Sequence, residues 1–318
     1  MCAMSKDMFK KQLKYSKEDL TRLQALSLED KVTLSKLRIQ EWYEHWGGKV
    51  AVSFSGGKDS TVLLHLVREM YPEVPAVYVD TGMDLTSVKE FVRNTPNVVR
   101  VKPSMNFRQV IETYGWVFPS KNVAKYVSDA RRGVRYATMM FEGKNSDGSP
   151  SIFNQDRYSR WKKLIDAPFK ISEKCCLVMK EEPLDKYYKE TGRKPYIGLL
   201  ACESKRREEA WKKTGCNAFD SRKATSKPLS FWTEQDILAY IKREGLKISE
   251  AYGDIVEEKG KLKTTDEQRT GCIFCLIGAH LNKPNRIQRL KEIEPTKYKY
   301  CIEQLGMDEV MTWLNLPH

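Results

Sequence analysis

Val50-Ala51-Val52-Ser53-Phe54-Ser55-Gly56-Gly57-Lys58-Asp59-Ser60-Thr61 passes from an apolar run through paired glycines into a segment whose apolar residues, Val62, Leu63, Leu66, Val67 and Met70, recur at helical spacing. The stretch predicts a strand, a glycine-rich turn and a helix. Adjacent glycines let backbone approach a phosphate closely, and the N-terminus of the following helix adds unpaired N–H groups and partial positive charge. Lys58 adds a full charge. A Walker A loop would need glycine at position 52 and Ser or Thr at position 59, where Val52 and Asp59 stand, so that motif is absent.

Alternating elements follow: a strand over 49–54, a helix over 60–70, a strand over 76–80, a helix over 85–94 and a strand over 98–101. This order predicts a Rossmann-like, doubly wound α/β fold with a mainly parallel sheet and its ligand site at the strand C-termini. A helical extension is expected over 1–46, with two helices between 5 and 46. The nucleotide-binding domain spans 47–230, with an irregular insertion or lid around 115–170 and a polar loop over 143–150. A short strand over 196–200 and a charged helix over 203–213 precede a helical C-terminal part, 231–318, whose first helix starts with Thr233 as N-cap and Asp236 at the capping-box position.

Composition narrows the class. Hydrophobic residues at 41% and aromatics at 10% fit a folded globule. No apolar run of about 18 residues is present, and the charged N-terminus lacks the apolar core of a signal peptide; no membrane partner and a cytoplasmic location are the expectation. The formal net charge is +13. Basic residues cluster at Lys121, Lys125, Arg131, Arg132 and Arg135, interleaved with Tyr126 and Tyr136, and again at Lys283, Arg286, Arg289, Lys291, Lys297 and Lys299. Such groups suit a nucleic-acid backbone or a small polyanion such as ATP.

Four of the eight cysteines are paired in sequence, as Cys175-Cys176 and Cys272-Ile273-Phe274-Cys275. Four thiolates satisfy a tetrahedral zinc or a four-iron four-sulfur cluster. Adjacent cysteines are unusual for zinc, whereas a cluster can take thiolates from neighbouring positions on different irons.

The stretch Ser53 to Thr61 resembles the PP-loop, and most closely that of the phosphoadenosine phosphosulfate (PAPS) reductase family, which also holds the sulfate adenylyltransferase small subunit and DNA phosphorothioation enzymes. The resemblance extends to Asp80-Thr81-Gly82, to Lys174-Cys175-Cys176 with Lys180-Glu181-Glu182-Pro183-Leu184, to Gly198 through Arg207, and to Thr270-Gly271-Cys272-Ile273-Phe274-Cys275. It implies an adenine nucleotide held by Ser53, Ser55, Gly56, Gly57, Lys58, Asp59, Ser60, Asp80 and Thr81, with Lys58 and Asp59 catalytic and magnesium near Asp59 or Asp80. It implies substrate contacts from Glu203, Arg206 and Arg207. It further implies that Cys175, Cys176, Cys272 and Cys275 are the cluster ligands, leaving Cys2, Cys202, Cys216 and Cys301 as ordinary thiols; His280, just after the C-x-x-C, is placed to approach a cluster but reads first as a plain polar histidine.

Two departures choose among family members. Reductases usually carry a degraded loop, and here it is intact. They also use a cysteine in a short Glu-Cys-Gly-(Leu or Ile)-His segment near the C-terminus, which this chain lacks; Cys301 has neither the glycine nor the histidine. The expectation is an ATP-dependent enzyme that cleaves between the α and β phosphates to adenylate a substrate for iron–sulfur-dependent sulfur transfer to nucleic acid, fed by a sulfur-donor protein. A reductase forming sulfite, and a zinc-containing nucleic-acid-binding protein, are the alternatives.

Overall fold

The side chains of Val50, Ala51 and Val52 are wholly buried because β1 (Val50–Ser53) lies inside a six-stranded sheet. On one side β2 (Ala76–Val79) pairs with it in parallel, Val52 facing Ala76, and β3 (Val98–Val101) lies beyond. On the other side β4 (Lys194–Ile197) pairs in parallel, Val52 facing Tyr196. A short hairpin of β5 (Asn217–Ala218) and β6 (Thr225–Ser226) closes that edge, β6 parallel to β4 and β5 antiparallel to β6. The strand order is thus β3-β2-β1-β4-β6-β5. It reverses between β1 and β4, the switch point at whose carboxyl ends such sheets bind ligands. The Rossmann-like α/β expectation holds.

The computed structural model describes residues 13–318, so the start of the helical extension and Cys2 lie outside the described residues. The chain divides into two compact units. The first runs through Tyr78 and takes up Thr86–Val101 and Lys186–Thr270; the second comprises Val79–Leu85, Lys102–Asp185 and Gly271–His318.

In the first unit, α1 (Lys17–Gln24) opens on a capping box at Ser16, and α2 (Leu28–His45) is capped by Ser27. α2 is tied to the unit by buried polar bonds: Trp232 Nε1 donates to Ser35 Oγ at 2.9 Å, and Lys31 pairs with Asp236 at 2.8 Å. α3 (Lys58–Met70) lays Val62, Leu63, Leu66 and Val67 into the core with Val50, Val52, Phe54, Trp42, Tyr196 and Trp232. α4 (Thr86–Asn94) contributes Val92. The Thr233–Asp236 capping box forms as its spacing predicts, and starts the helix Glu234–Glu244. The helix expected from 203 begins instead at Lys205, because Ser204 caps it and a 3₁₀ turn, Ala201–Glu203, comes first.

In the second unit the stretch read as irregular is largely helical: Lys121–Arg131, Arg135–Phe141, Ile152–Tyr158 and a 3₁₀ segment, Ser159–Asp166. Its knot is Arg131, which donates to the carbonyls of Ile165, Phe169, Leu164 and Ala167 at 2.7–2.9 Å. These carbonyls lie at the end of the 3₁₀ segment and just beyond it, where helical donors run out; of them Leu164 O also accepts from Ala167 N at 3.4 Å. Among the described residues no helix is long and apolar enough to cross a membrane.

Candidate functional site

The first unit gathers its chemistry around the turn that leaves β1. Gly56 has φ +72°, and a Cβ there would stand 2.8 Å from Val92 Cγ2 and 2.9 Å from Val88 Cγ1, so the position excludes a side chain twice over. Gly57 is the N-cap of α3 and provides no side-chain cap, the kind of helix start that suits an anion. Hydroxyls shape the loop: Ser60 Oγ donates to Gly57 O at 2.9 Å, and Ser55 N donates to Ser60 Oγ at 3.2 Å. Ser53, at the end of β1, bonds Tyr188 Oη at 2.8 Å through its hydroxyl. The switch point is tight, since a Cβ on Gly198 would lie 3.1 Å from Asp59 O.

Lys58 is buried, and its Nζ donates to Gln268 O at 2.5 Å and pairs with Glu234 at 2.9 Å. Its backbone N–H donates to Tyr252 Oη at 3.1 Å, and that hydroxyl bonds Thr270 Oγ1 at 2.9 Å. Asp59 Oδ1 is buried and has no hydrogen-bond partner among the described residues. Burial pushes the Asp59 carboxyl up, while Lys58 and Arg269 pull it back down. An orphaned carboxylate oxygen beside a phosphate cradle is chemically suited to magnesium, a hard cation held by carboxylate and phosphate oxygens. Glu203 pairs with Arg207 through its Oε2 and with Arg269 through its Oε1, at 3.0 Å for the latter. Arg206 is exposed.

Of the expected residues, the structure brings Ser55, Gly56, Gly57, Lys58, Asp59 and Ser60 into one loop, with Glu203 and Arg207 in the same unit. Sequence reasoning missed Tyr252, Glu234, Gln268 and Arg269. Only Arg269 had a local signal, as the residue immediately before the Thr270-Gly271-Cys272 motif.

Asp80 and Thr81 belong to the second unit, in a turn where Gly82 N donates to Asp80 Oδ1 at 3.3 Å and Thr81 Oγ1 donates to Asp84 Oδ2 at 3.2 Å. The four paired cysteines line one cavity of this unit, walled by Met83, Phe107, Trp116 and Phe274. Cys175 and Cys176 lie in the first turn of a helix that passes at once through a π-helical turn, Leu177–Glu181. The Cys272–Cys275 turn is fixed by Ile273 N donating to Met83 O at 2.8 Å and by Arg286 Nη1 donating to Cys272 O at 3.1 Å. Burial pushes the thiols of Cys175, Cys272 and Cys275 up, and neighbouring cysteines add to it. Burial also works against the charge on Lys180, but Cys272 and Asp84 outweigh it and hold its ammonium above the ordinary range.

Among the described residues no group of three or more His, Cys, Asp or Glu side chains is arranged to hold a metal ion. A single zinc would draw its thiolates to about 2.3 Å. The fit to a cluster is one of donor chemistry: four thiols on one enclosed wall, the complement a four-iron cluster takes. His280 sits edge-on between Phe118 and Trp161, with ring centroids 5.7 and 5.1 Å away.

The fold and the loop define an α/β protein of the PP-loop superfamily. Residues 49–118 and 142–267, more than half of the chain, match the phosphoadenosine phosphosulfate reductase domain. The chain belongs to the PAPS reductase family. It is 27% identical over 130 residues to a phosphoadenosine 5'-phosphosulfate reductase of Vibrio campbellii, covering 37% of this chain and 50% of that protein. It is 25% identical over 312 residues to an uncharacterized protein of Methanocaldococcus jannaschii, covering 94% of this chain and 60% of that protein. The chain thus spans between half and three-fifths of the length of these relatives. Among solved structures, a PAPS reductase from Candida auris aligns at 14% identity and TM-score 0.38, over 77% of this chain and 97% of that one. A Candida glabrata FMN adenylyltransferase in complex with ATP aligns at 12% identity and TM-score 0.38, over 76% and 67%.

Proposed function

We propose that the chain is an adenylating enzyme that binds ATP at Ser53–Thr61, cleaves it between the α and β phosphates, and activates an acceptor on nucleic acid for sulfur transfer. The observation that carries this reading is the intact loop: an uncapped helix N-terminus, a buried Lys58 ammonium and the unpartnered Asp59 oxygen together. An acceptor oxygen attacks the α-phosphorus, the bond to the α–β bridging oxygen breaks, and pyrophosphate leaves with its negative charge against the loop N–H groups and Lys58. Asp59 would hold magnesium, which supplies positive charge to neutralise the phosphates. A sulfur nucleophile from a donor protein then displaces AMP, forming the bond to sulfur as the bond to oxygen breaks. Cys175, Cys176, Cys272 and Cys275 would hold a four-iron four-sulfur cluster, which supplies a binding point for sulfur or a one-electron site.

A nucleic-acid acceptor is supported by the net charge of +13 and by the exposed rings of Tyr136 and Phe153, with the Arg157 guanidinium 5.4 Å from the Phe153 centroid. The basic group around Arg131 contributes less than its composition suggests. Arg131 is consumed by backbone carbonyls, and Lys125 and Arg132 pair with Asp129.

The test is pyrophosphate release from ATP by anaerobically purified protein, with single-stranded DNA, RNA and transfer RNA as acceptors. Release that depends on one of these is expected, and Lys58→Ala should lower it by about 100-fold or more, the effect of removing a donor that stabilises developing charge. Sulfite formed from a phosphosulfate and a thiol, without pyrophosphate release from ATP, would instead establish the reductase reading.

A further inference from the structure

In the second unit Ile152 and Phe153 stand side by side at the start of their helix, 83% and 61% exposed, and Tyr136, on the helix Arg135–Phe141 packed against it, is 42% exposed. Single apolar residues on a surface are ordinary. The two rings differ in being held. Phe153 meets the buried Tyr158 ring edge-on at 6.5 Å, Tyr158 meets Tyr126 at 5.2 Å, and Tyr126 meets Tyr136 at 5.6 Å, with interplanar angles of 73°, 79° and 82°. A hydroxyl–hydroxyl bond of 3.1 Å fixes Tyr136 to Tyr126. An edge-to-face contact occupies one face or one edge of a ring, so the exposed ring at each end of this row keeps a face for another partner. Rings already held in place lose little rotamer freedom when something stacks on them.

The charge around the row stays positive when the acids are counted. Residues 121–166 contain ten Lys and Arg against five Asp and Glu. Asp129 is taken by Lys125 and Arg132, Glu142 pairs with Lys144, Asp147 accepts from Ser149, and Asp166 acts on Arg131. Asp156 is exposed and precedes Arg157 in the chain. Arg135, Arg157 and Arg160 are exposed and form no salt bridge among the described residues. The Arg157 guanidinium lies 5.4 Å from the Phe153 centroid and 5.8 Å from that of Tyr158, so a cation borders the exposed ring. Held rings interleaved with unspent guanidinium groups match a nucleic-acid strand, whose bases have π-faces and whose phosphates are anionic. A duplex keeps its bases stacked on one another and offers this surface only phosphates, so the rings favour a single strand.

We propose that the row from Tyr136 through Tyr126 and Tyr158 to Phe153, bordered by Arg135 and Arg157, is a stacking platform for single-stranded nucleic acid, with a base on each exposed ring. It rests on the nucleic-acid reading above and adds to it the strandedness, the mode of contact and the residues. Tyr136 and Phe153 are binding residues here; Tyr126 and Tyr158 position them.

Fluorescence anisotropy of the full chain with a labelled oligothymidylate of about 20 nucleotides, and with a duplex of the same length, tests this. Wild type should bind the single strand about tenfold or more tightly than the duplex. Phe153→Leu and Tyr136→Leu keep apolar bulk and remove the ring, and each should weaken single-strand binding about tenfold. Ile152→Ala, at an equally exposed apolar position without a ring, should stay within about twofold of wild type. Arg157→Gln should make the slope of log affinity against log salt shallower by about 0.7, the share of one phosphate contact on a single strand. Phe153→Trp, with the larger face, should bind more tightly, and it decides if a leucine variant is not folded by circular dichroism; unchanged or weaker binding then counts against stacking. The platform is overturned if wild type binds no single strand or prefers the duplex, if both leucine variants bind as wild type does, or if Ile152→Ala costs as much as Phe153→Leu. It is equally overturned if Phe153→Leu abolishes self-association of wild type in sedimentation while oligonucleotide binding is unchanged, which would make a second copy the occupant. Nucleic-acid-dependent pyrophosphate release that keeps its half-saturating concentration in both leucine variants would retain the acceptor reading and remove the platform. Binding lost in those variants, with no pyrophosphate release by wild type, would retain the platform and remove the acceptor reading.

Discussion

The glycine loop of the first unit and the four-thiol cavity of the second are built on opposite principles. The loop holds its shape without a ligand. Ser55 and Ser60 bond the turn, Gly56 admits the close packing of Val88 and Val92, and Lys58 already has Glu234 and Gln268 as partners. The thiols face an apolar wall, and burial drives Cys175, Cys272 and Cys275 toward the neutral form. A metal binds thiolate; Lys180 pulls the Cys272 thiol back down but burial prevails, so occupancy would have to supply the remaining positive charge. One site selects by prior shape; the other gains its charge balance on loading.

Cys272→Ser breaks this contrast most severely. Anaerobically purified protein should lose its iron and visible absorbance completely, as measured by metal analysis and spectroscopy, while pyrophosphate still binds the loop. Zinc in place of iron in wild type would select the zinc alternative. Gly56→Ala attacks the other side. With φ +72° and two valine methyls within 3.0 Å of the added carbon, unfolding free energy in urea should fall by about 2–4 kcal/mol, and iron content per folded chain should not change. An unchanged denaturation midpoint would show that the loop is not the close-packed element described.

The smallest effect tests whether the basic group around Asp129 is internal structure. Burial raises the Asp129 pKa, but bonds from Lys125 and Arg132 outweigh it and leave the carboxyl below its ordinary value. A depressed folded pKa contributes stability above the unfolded value of about 3.9 that is lost as pH falls through the folded value. Asp129→Asn should therefore cost up to about 1 kcal/mol at pH 7, since both cationic partners are exposed. The melting temperatures of variant and wild type should converge near pH 2. A gap that persists at that pH would assign the loss to packing.

Legibility follows the distance over which a site is assembled. Strand, loop and α3 are contiguous, and the period of Val62, Leu63, Leu66 and Val67 announces the buried face. The Thr233–Asp236 box is equally local. The helices at 121–166 were missed although Ser120 caps the first of them and Val123, Ala124 and Val127 mark its buried face, because a dense run of charge obscured that pattern. Arg131 read as surface charge, since nothing nearby says that four carbonyls will converge on it. Tyr252 and Glu234 reach Lys58 across more than 170 residues. Only the sheet topology supplies that proximity.

The π turn at Leu177–Glu181 sets the azimuth of the thiol pair. An α-helix turns about 100° per residue, and a π turn amounts to one residue inserted into that count. The positions of Cys175 and Cys176 are thus phased against the downstream helix by the length of this segment more than by its composition. Closing these five residues into regular α form at unchanged length would swing both thiols about a quarter-turn off the cavity.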